Sequence, residues 1–330
     1  MFWEIIELMK ALYPLKFHPI TQYRIWGGDY LNQFVPKASQ QENLGEIWSI
    51  SALEGNVSIV ENGALKEESL QNLVETYQAD LLGEAVWRKF GKNFPLLIKF
   101  LNAQTPLSVQ VHPDNELAEN LHQSFGKSEM WYIMEADPTA EITMGFKKDT
   151  TKAEYLVHLQ AETLEEILHQ EKVEEGDVIY IPAGRAHAIG AGIVLAEIQQ
   201  ASDITYRIYD YNRKDKDGKK RELHTDWAEK AIDFHSIASV KTPYTIQENQ
   251  FSDLVQSPYF QTRIFKGNQT VVVENNQEMR IYICVSGSFS IVYNNETTPL
   301  SAYQSILVPA ACADFQIQPH ENGELIEVKV

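Results

Sequence analysis

Along most of the chain, hydrophobic and polar positions alternate over short runs, as they do in half-buried strands. Residues 46–60 (EIWSISALEGNVSIV), 95–101, 107–112, 129–135, 141–145, 178–182 and 193–209 are rich in β-branched and aromatic residues and bounded by turn residues. Each is predicted to be extended. Two stretches follow a different period. Residues 67–90 (EESLQNLVETYQADLLGEAVWRKF) space their apolar side chains three to four apart, which predicts an amphipathic helix. Residues 224–235 predict a shorter helix, with Thr225 as N-cap and Glu229 near the capping-box position. From about residue 240 every apolar run is strand-like (TRIFKG, TVVVEN, RIYICVSG, FSIVYNN, SILVPAA, ADFQIQ, LIEVKV). Such a row of short strands suggests a sandwich or jelly roll. The pattern therefore predicts a mainly β protein with small helical insertions at about 67–90 and 224–235. It divides into a first domain, 1–239, and a second, 240–330.

Composition narrows the function. The 330 residues are 44% apolar and 22% charged, ordinary values for a chain that fills a core. No run approaches the roughly 18 apolar residues of a membrane-spanning helix. The net charge of −18 argues against a nucleic-acid partner, because counterion release needs a basic surface. An anionic substrate requires a few local cations that overcome the general field. One charged run, residues 213–221 (RKDKDGKKR), reads as a solvated loop or, more sharply, as a lid over such a substrate. Cys284 and Cys312 form neither a disulfide framework nor a metal motif and are expected to be buried in a reduced cytosol. Acidic residues at Glu4 and Glu7 stand where a signal peptide would be basic, so a cytoplasmic location is expected. Met9-Lys10 makes residues 1–8 an upstream extension of the core.

The candidate chemistry sits in three segments. In Leu107-Ser108-Val109-Gln110-Val111-His112-Pro113, alternation puts Ser108, Gln110 and His112 on one face and Val109 and Val111 on the other. Lys127-Ser128-Glu129 repeats that spacing. In Gly176-Asp177-Val178-Ile179-Tyr180-Ile181-Pro182-Ala183-Gly184-Arg185-Ala186-His187, Gly176 turns into a strand, Pro182 ends it, and Gly184 permits a tight turn. His187 then emerges on the returning strand. Gln110, His112, Glu129 and His187 together offer an amide oxygen, two imidazoles and a carboxylate. That set suits zinc or another first-row divalent ion with one position open.

The G-x₅-P-x-G-x₂-H segment resembles the second cupin motif, and Q-V-H-P followed by K-x-E resembles the first motif of type I phosphomannose isomerases. Leu97-Ile98-Lys99-Phe100-Leu101-Asn102-Ala103 is similar to that family's lead-in, and Ala201-Ser202-Asp203-Ile204-Thr205-Tyr206-Arg207 to its S-D-x-x-x-R segment. The resemblance runs from about Tyr23 to the C-terminus and is to the short bacterial form. It implies two cupin or jelly-roll β-sandwich lobes, with one zinc per chain held by Gln110, His112, Glu129 and His187. It also implies polar active-site positions at Lys99, Lys127, Asp203 and Arg207. Longer members carry a histidine before the lysine of the glutamate motif, where this chain has Gly126, so any ring-opening role of that histidine does not transfer. Gln304-Ser305-Ile306-Leu307-Val308-Pro309-Ala310-Ala311-Cys312 occupies the place of the second motif in the C-terminal lobe. No His or Glu follows it at ligand spacing, so that lobe is expected to be metal-free and structural.

The implied reaction interconverts mannose 6-phosphate and fructose 6-phosphate through an enediol. Arg207 and Lys127 would stabilise the charge on oxygen, and Asp203, or Lys127 in its place, would take the C2 proton. Asp203, Thr205 and Arg207 share one face of an extended segment. The phosphate would be held by cations drawn from Lys99, Lys127, Arg185 and Arg207, with Ser108 also facing the substrate. A monomer or weak homo-oligomer is expected. The rival readings are a non-catalytic sugar-phosphate-binding cupin, an isomerase of another phosphosugar, and an iron cupin dioxygenase, which would normally use an H-x-H pair in place of Gln110.

Overall fold

A computed structural model describes residues 10–330, and the expected upstream extension at residues 1–8 lies outside them. The chain forms two compact units. One gathers Thr21–Trp48 and Leu96–Pro243; the other gathers Ser49–Pro95, Tyr244–Val330 and the described residues up to Ile20. The two units interleave in sequence, unlike the consecutive division expected at 239/240. The helical stretch after residue 67 groups with the C-terminal residues, whose Ala310 and Ala311 N–H groups donate to the carbonyls of Leu81 and Asp80 at 3.0 and 2.8 Å.

The first unit contains strands β1 (Ile20–Gly28), β2 (Leu44–Ile50), β3 (Leu96–Ala103), β4 (Val109–Val111), β5 (Glu129–Ala136), β6 (Glu141–Phe146), β7 (Leu168–Lys172), β8 (Val178–Ile181), β9 (His187–Ile189), β10 (Ile193–Gln200) and β11 (Tyr206–Tyr209). They form a six-stranded sheet in the order β1-β2-β3-β10-β5-β8 and a five-stranded sheet in the order β11-β4-β9-β6-β7. Trp131, Ile133 and Leu195 of one sheet meet Ile142, Met144 and Ile189 of the other in one buried cluster, so the unit is a sandwich. Each such side chain, fully buried, is worth about 1.5–3 kcal/mol. On the outer face of the five-stranded sheet, Val109, Val111, Tyr206 and Ile208 pack with Tyr155, Ala228 and Ile232 of a helical layer.

The second unit repeats the plan with β12 (Phe251–Gln256), β13 (Gln261–Gly267), β14 (Val271–Val273), β15 (Arg280–Ser286), β16 (Ser288–Tyr293), β17 (Glu296–Ser301), β18 (Gln304–Val308), β19 (Phe315–Pro319) and β20 (Gly323–Lys329). Its sheets run β12-β13-β20-β15-β18 and β14-β19-β16-β17. The first of these has the order of β2-β3-β10-β5-β8, and the registers agree. Glu197 lies opposite Lys99 and Trp131, as Glu327 lies opposite Arg263 and Tyr282. Glu129 lies opposite Ile181 before Pro182, as Arg280 lies opposite Val308 before Pro309. The Arg280 guanidinium donates to Glu327 at 3.0 Å, and the Tyr282 hydroxyl donates to the same carboxylate at 2.8 Å. Cys284 and Cys312 are free and buried, and burial raises both thiol pKa values, Cys312 to about 12.

Several elements differ from the expected ones. The long helix over 67–90 is broken into Leu70–Tyr77, Ala79–Leu82 and Glu84–Phe90, with positive φ at Gln78 (50°) and Gly83 (85°) at the breaks. The shorter helix covers only Thr225–Ala231; its N-cap is His224 with no capping side chain, and Thr225 is already helical. The run 193–209 splits into β10 and β11 in different sheets, with the Gln199 amide bonded to the Gln200 and Ser202 carbonyls at the crossing. Helices Asn115–His122 and Lys152–Gln160 were not expected, nor were β1 and β7; Asp114 and Thr151 cap these helices from the backbone N–H of Leu117 and Glu154. No described helix is long and apolar enough to cross a membrane.

Candidate metal centre and cleft

Gln110 on β4 and His187 on β9 are register partners in one sheet, with His112 just beyond the end of β4. Glu129 begins β5 in the facing sheet. The sandwich thus brings together residues far apart in sequence. Ligand atoms of His112, Glu129 and His187, all buried, lie within 4.8 Å of one another. Among the described residues no second cluster of this kind occurs. His112 Nε2 is 3.5 Å from one Glu129 oxygen and His187 Nε2 is 3.3 Å from the other.

The outer hydrogen bonds fix how these groups point. His112 Nδ1 donates to the Ile204 carbonyl at 2.9 Å and His187 Nδ1 to the Arg185 carbonyl at 2.8 Å. Since a carbonyl only accepts, each ring carries a proton on Nδ1 and turns Nε2 inward. Burial, reinforced by the Lys127 ammonium, holds His112 well below the usual imidazole range, against the pull of Glu129. Burial opposes ionisation of Glu129, but the Lys127 ammonium beside it outweighs that and holds the carboxyl well below its usual range. Neutral imidazoles and an ionised carboxylate are the states a cation binds. Neither Glu129 oxygen has a hydrogen bond of good geometry, although Lys127 Nζ lies 3.0 Å from one of them. A fully buried carboxylate so poorly satisfied is costly unless a cation joins it. The donor set therefore fits a divalent ion. Gln110 Nε2 lies 3.3 Å from His187 Nε2, and turning the amide over would present its oxygen there instead.

The cluster borders a cleft of about 330 Å³ lined by Lys99, Ser108, Gln110, Lys127, Asp203, Thr205 and Arg207. All the expected polar positions are there except one. Arg185 does not line the cleft: its guanidinium is committed to the His235 carbonyl at 2.8 Å and to Asp233 at 3.2 Å. Asp203, Thr205 and Arg207 do share a wall, although only Arg207 lies in a strand. Glu129 and Glu197, both buried, keep the Lys127 pKa raised despite its own burial. Arg207 donates from Nε to Ser108 Oγ at 3.3 Å and from Nη1 to the Glu222 carbonyl at 2.8 Å.

Four further cleft residues, Arg24, Glu46, Trp48 and Glu197, were not expected from the sequence, and a fifth, Arg221, ends the charged run 213–221 expected to be a loop or lid. Glu46 accepts two hydrogen bonds from Arg24 at 3.0 Å each and one from Trp48 Nε1 at 2.6 Å. Burial pushes its carboxyl up, but Lys99 and Arg24 pull harder and hold it at about 2. Lys99 Nζ is 2.9 Å from Glu197, which also accepts from Trp131 Nε1 at 3.1 Å. Alternation in EIWSI and LAEIQ marks Glu46 and Glu197 as polar residues inside apolar strands, a signal that was available.

Gly126 explains why no histidine stands before Lys127. A Cβ there would come within 2.5 Å of the backbone of Asp114 and Asn115, so the start of the preceding helix, Asn115–His122, leaves no room for a side chain. Gly184, at φ 87°, makes the turn that returns the chain to His187. A larger cleft of about 600 Å³ in the other unit, beside Tyr13 and Tyr293, contains no such cluster.

The chain matches a model of the catalytic domain of type I phosphomannose isomerase over residues 15–155. It is 35% identical over 312 residues to a mannose-6-phosphate isomerase of Bacillus subtilis, covering 92% of this chain and 96% of that protein. It is 34% identical over 307 residues to the mannose-6-phosphate isomerase of Streptococcus mutans, covering 92% and 94%. Among solved structures, the crystal structure of a mannose 6-phosphate isomerase from Bacillus subtilis matches with a TM-score of 0.86 at 30% identity, over 97% of this chain and 100% of that one.

Proposed function

Since the chain belongs to the type I mannose-6-phosphate isomerase family, we propose that it interconverts D-mannose 6-phosphate and D-fructose 6-phosphate in the cytosol by an enediol proton transfer, with one zinc ion per chain. The observation that carries this reading is the buried His112–Glu129–His187 cluster, which Gln110 and Lys127 join to a cleft rich in cations. His112, Glu129, His187 and the Gln110 amide oxygen would hold the ion. Zinc suits their nitrogen-rich set, and when bound it supplies Lewis acidity toward oxygens on C1 and C2 of the sugar.

The remaining steps fall to side chains of the cleft. Lys127 keeps its proton, so it serves as a fixed positive charge beside the reacting oxygens. That leaves Asp203, an exposed carboxylate lining the same cleft, as the base that takes the C2 proton and returns it to C1. Arg207, which lines the cleft with Asp203, is anchored by Ser108 and the Glu222 carbonyl, and its remaining N–H donors would stabilise charge developing on the substrate. Lys99, paired with Glu197, shapes the floor. A coupled assay of mannose 6-phosphate isomerisation tests this before chelation, after chelation and after zinc return. Turnover that disappears with chelation and comes back with zinc supports it. Binding of the phosphosugar with zinc present and no turnover would replace the isomerase with a binding module.

A further inference from the structure

We infer that Arg221, clamped by Asp210 at the edge of the cleft, holds the phosphate of the sugar phosphate and so selects a phosphorylated over a free sugar. The inference rests on the isomerase reading above. It starts from the local chain. After β11, Tyr211 and Asn212 take positive φ (54° and 55°), and residues 213–221 fold back as a hairpin in which Lys214 bridges Lys220 and Asp215 N–H donates to the Lys219 carbonyl at 2.8 Å. The returning strand is tied to β11. Arg207 Nη1 donates to the Glu222 carbonyl, and His224 N–H donates to the Arg207 carbonyl at 2.8 Å. This seats Arg221 next to Arg207 on the cleft wall.

Charge accounting then singles out this corner. Asp210 is buried and receives Arg221 through Nε at 2.7 Å and Nη2 at 2.5 Å, and Arg213 through Nε at 3.2 Å. Arg207 has no carboxylate within 4.0 Å among the described residues. Two guanidiniums, Arg213 and Arg221, thus share one buried carboxylate, and Arg207 beside them contacts none, with exposed Glu222 acting on it only at longer range. Burial lowers the Arg207 pKa first and repulsion from Arg221 next, so this corner of the cleft carries an excess of positive charge. A phosphate monoester, with about −1.5 to −2 charges near neutrality, is of the sign that would offset it. The other cleft cations each hold a carboxylate of their own, Lys99 with Glu197, Lys127 with Glu129 and Arg24 with Glu46, whereas Arg221 shares Asp210 with Arg213.

Position agrees with charge. Arg207 lies opposite Gln110 in register but reaches Ser108, two residues or about 7 Å along β4 from the metal cluster. Arg221 therefore lies toward the end of the cleft where C6 falls if C1 and C2 face the cluster. The hairpin also concentrates six cations against two carboxylates in a chain of net charge −18, which draws an anion to this mouth.

Steady-state isomerisation of mannose 6-phosphate and binding of inorganic phosphate, measured on zinc-loaded protein, test the assignment. Arg221→Ala should raise KM by about 10- to 100-fold and weaken inorganic phosphate similarly, with kcat within about threefold, as expected for a lost charge-assisted contact. Arg221→Lys should recover part of the loss. Lys219→Gln removes the same charge from an exposed side chain of the hairpin and should change KM less than threefold. Equal losses in Arg221→Ala and Lys219→Gln would reduce the effect to the general field and overturn the contact. KM and phosphate affinity unchanged in Arg221→Ala would overturn it outright. Wild-type protein that binds phosphate through Arg221 but never isomerises the sugar would sink the isomerase reading and leave the anchor standing.

Discussion

Glu46→Gln gives the sharpest energetic test, because the stabilisation at Glu46 can be worked from its surroundings. The carboxylate is 7% exposed and accepts from Arg24 twice and from Trp48 once. Its pKa falls from an ordinary 4.5 to about 2, since Lys99 and Arg24 outweigh the burial that would raise it. A drop of about 2.5 units at about 1.4 kcal/mol each comes to about 3 kcal/mol. The folded pKa lies below the unfolded one, so this stability is fully present above about pH 4.5. It is lost as pH falls toward 2. Glutamine keeps the shape and an acceptor but carries no charge. At pH 7 the variant should be less stable by about 3 kcal/mol, or about 6–12 °C in Tm for a folding unit of 150–250 residues. The gap should narrow steadily below pH 4.5. Urea unfolding of both proteins at pH 7, 5, 4 and 3.5 measures it. A gap under about 1 kcal/mol at pH 7, or one that stays constant down to pH 3.5, would refute the electrostatic account.

Three further outcomes are expected. Metal analysis of loaded protein should find about one zinc per chain, most of it lost in His112→Ala or His187→Ala, and a second equivalent surviving both would contradict a single site. Turnover in heavy water should place deuterium at C1 of fructose 6-phosphate or C2 of mannose 6-phosphate, whereas complete retention of the original hydrogen under every condition would favour a hydride shift. Arg207→Ala should lower kcat by about 10²–10³ with zinc content and fold retained, and Arg207→Lys should rescue little; kcat near wild type would strip Arg207 of its charge-stabilising role.

The sequence disclosed the site in part because strand alternation is a local rule. Ser108, Gln110 and His112 could be placed on one face from spacing, and the cleft borders Ser108 and Gln110 as that spacing requires. Hairpin chemistry at Pro182 and Gly184 likewise pointed to His187. Contacts that depend on which strands become neighbours were not legible. Nothing within ten residues of Glu46 announces that Lys99 will approach it across β2 and β3, and nothing near Arg185 announces that Asp233 will take its charge. Short helices were missed where the capping residue was the main signal, as at Thr151 before Glu154. The break at Gly83 was visible in the sequence, but apolar spacing continued through it and masked the interruption.

The matching registers of the two sandwiches bear on how each copes with metal shortage. In both, a buried glutamate, Glu197 or Glu327, sits between a basic residue and an aromatic donor. In the first copy the corresponding position is Glu129, a second negative charge balanced by Lys127 and, on the proposed function, by a bound ion that can leave. In the second copy the same register holds Arg280, a cation bonded to the chain itself and fastened to Glu327. If the proposed ion binds, one half of the molecule depends on a supply of metal for its charge balance, and the other carries its counter-charge in its own sequence. Starvation for metal would then unbalance the charges around Glu129 while the C-terminal sandwich kept its own.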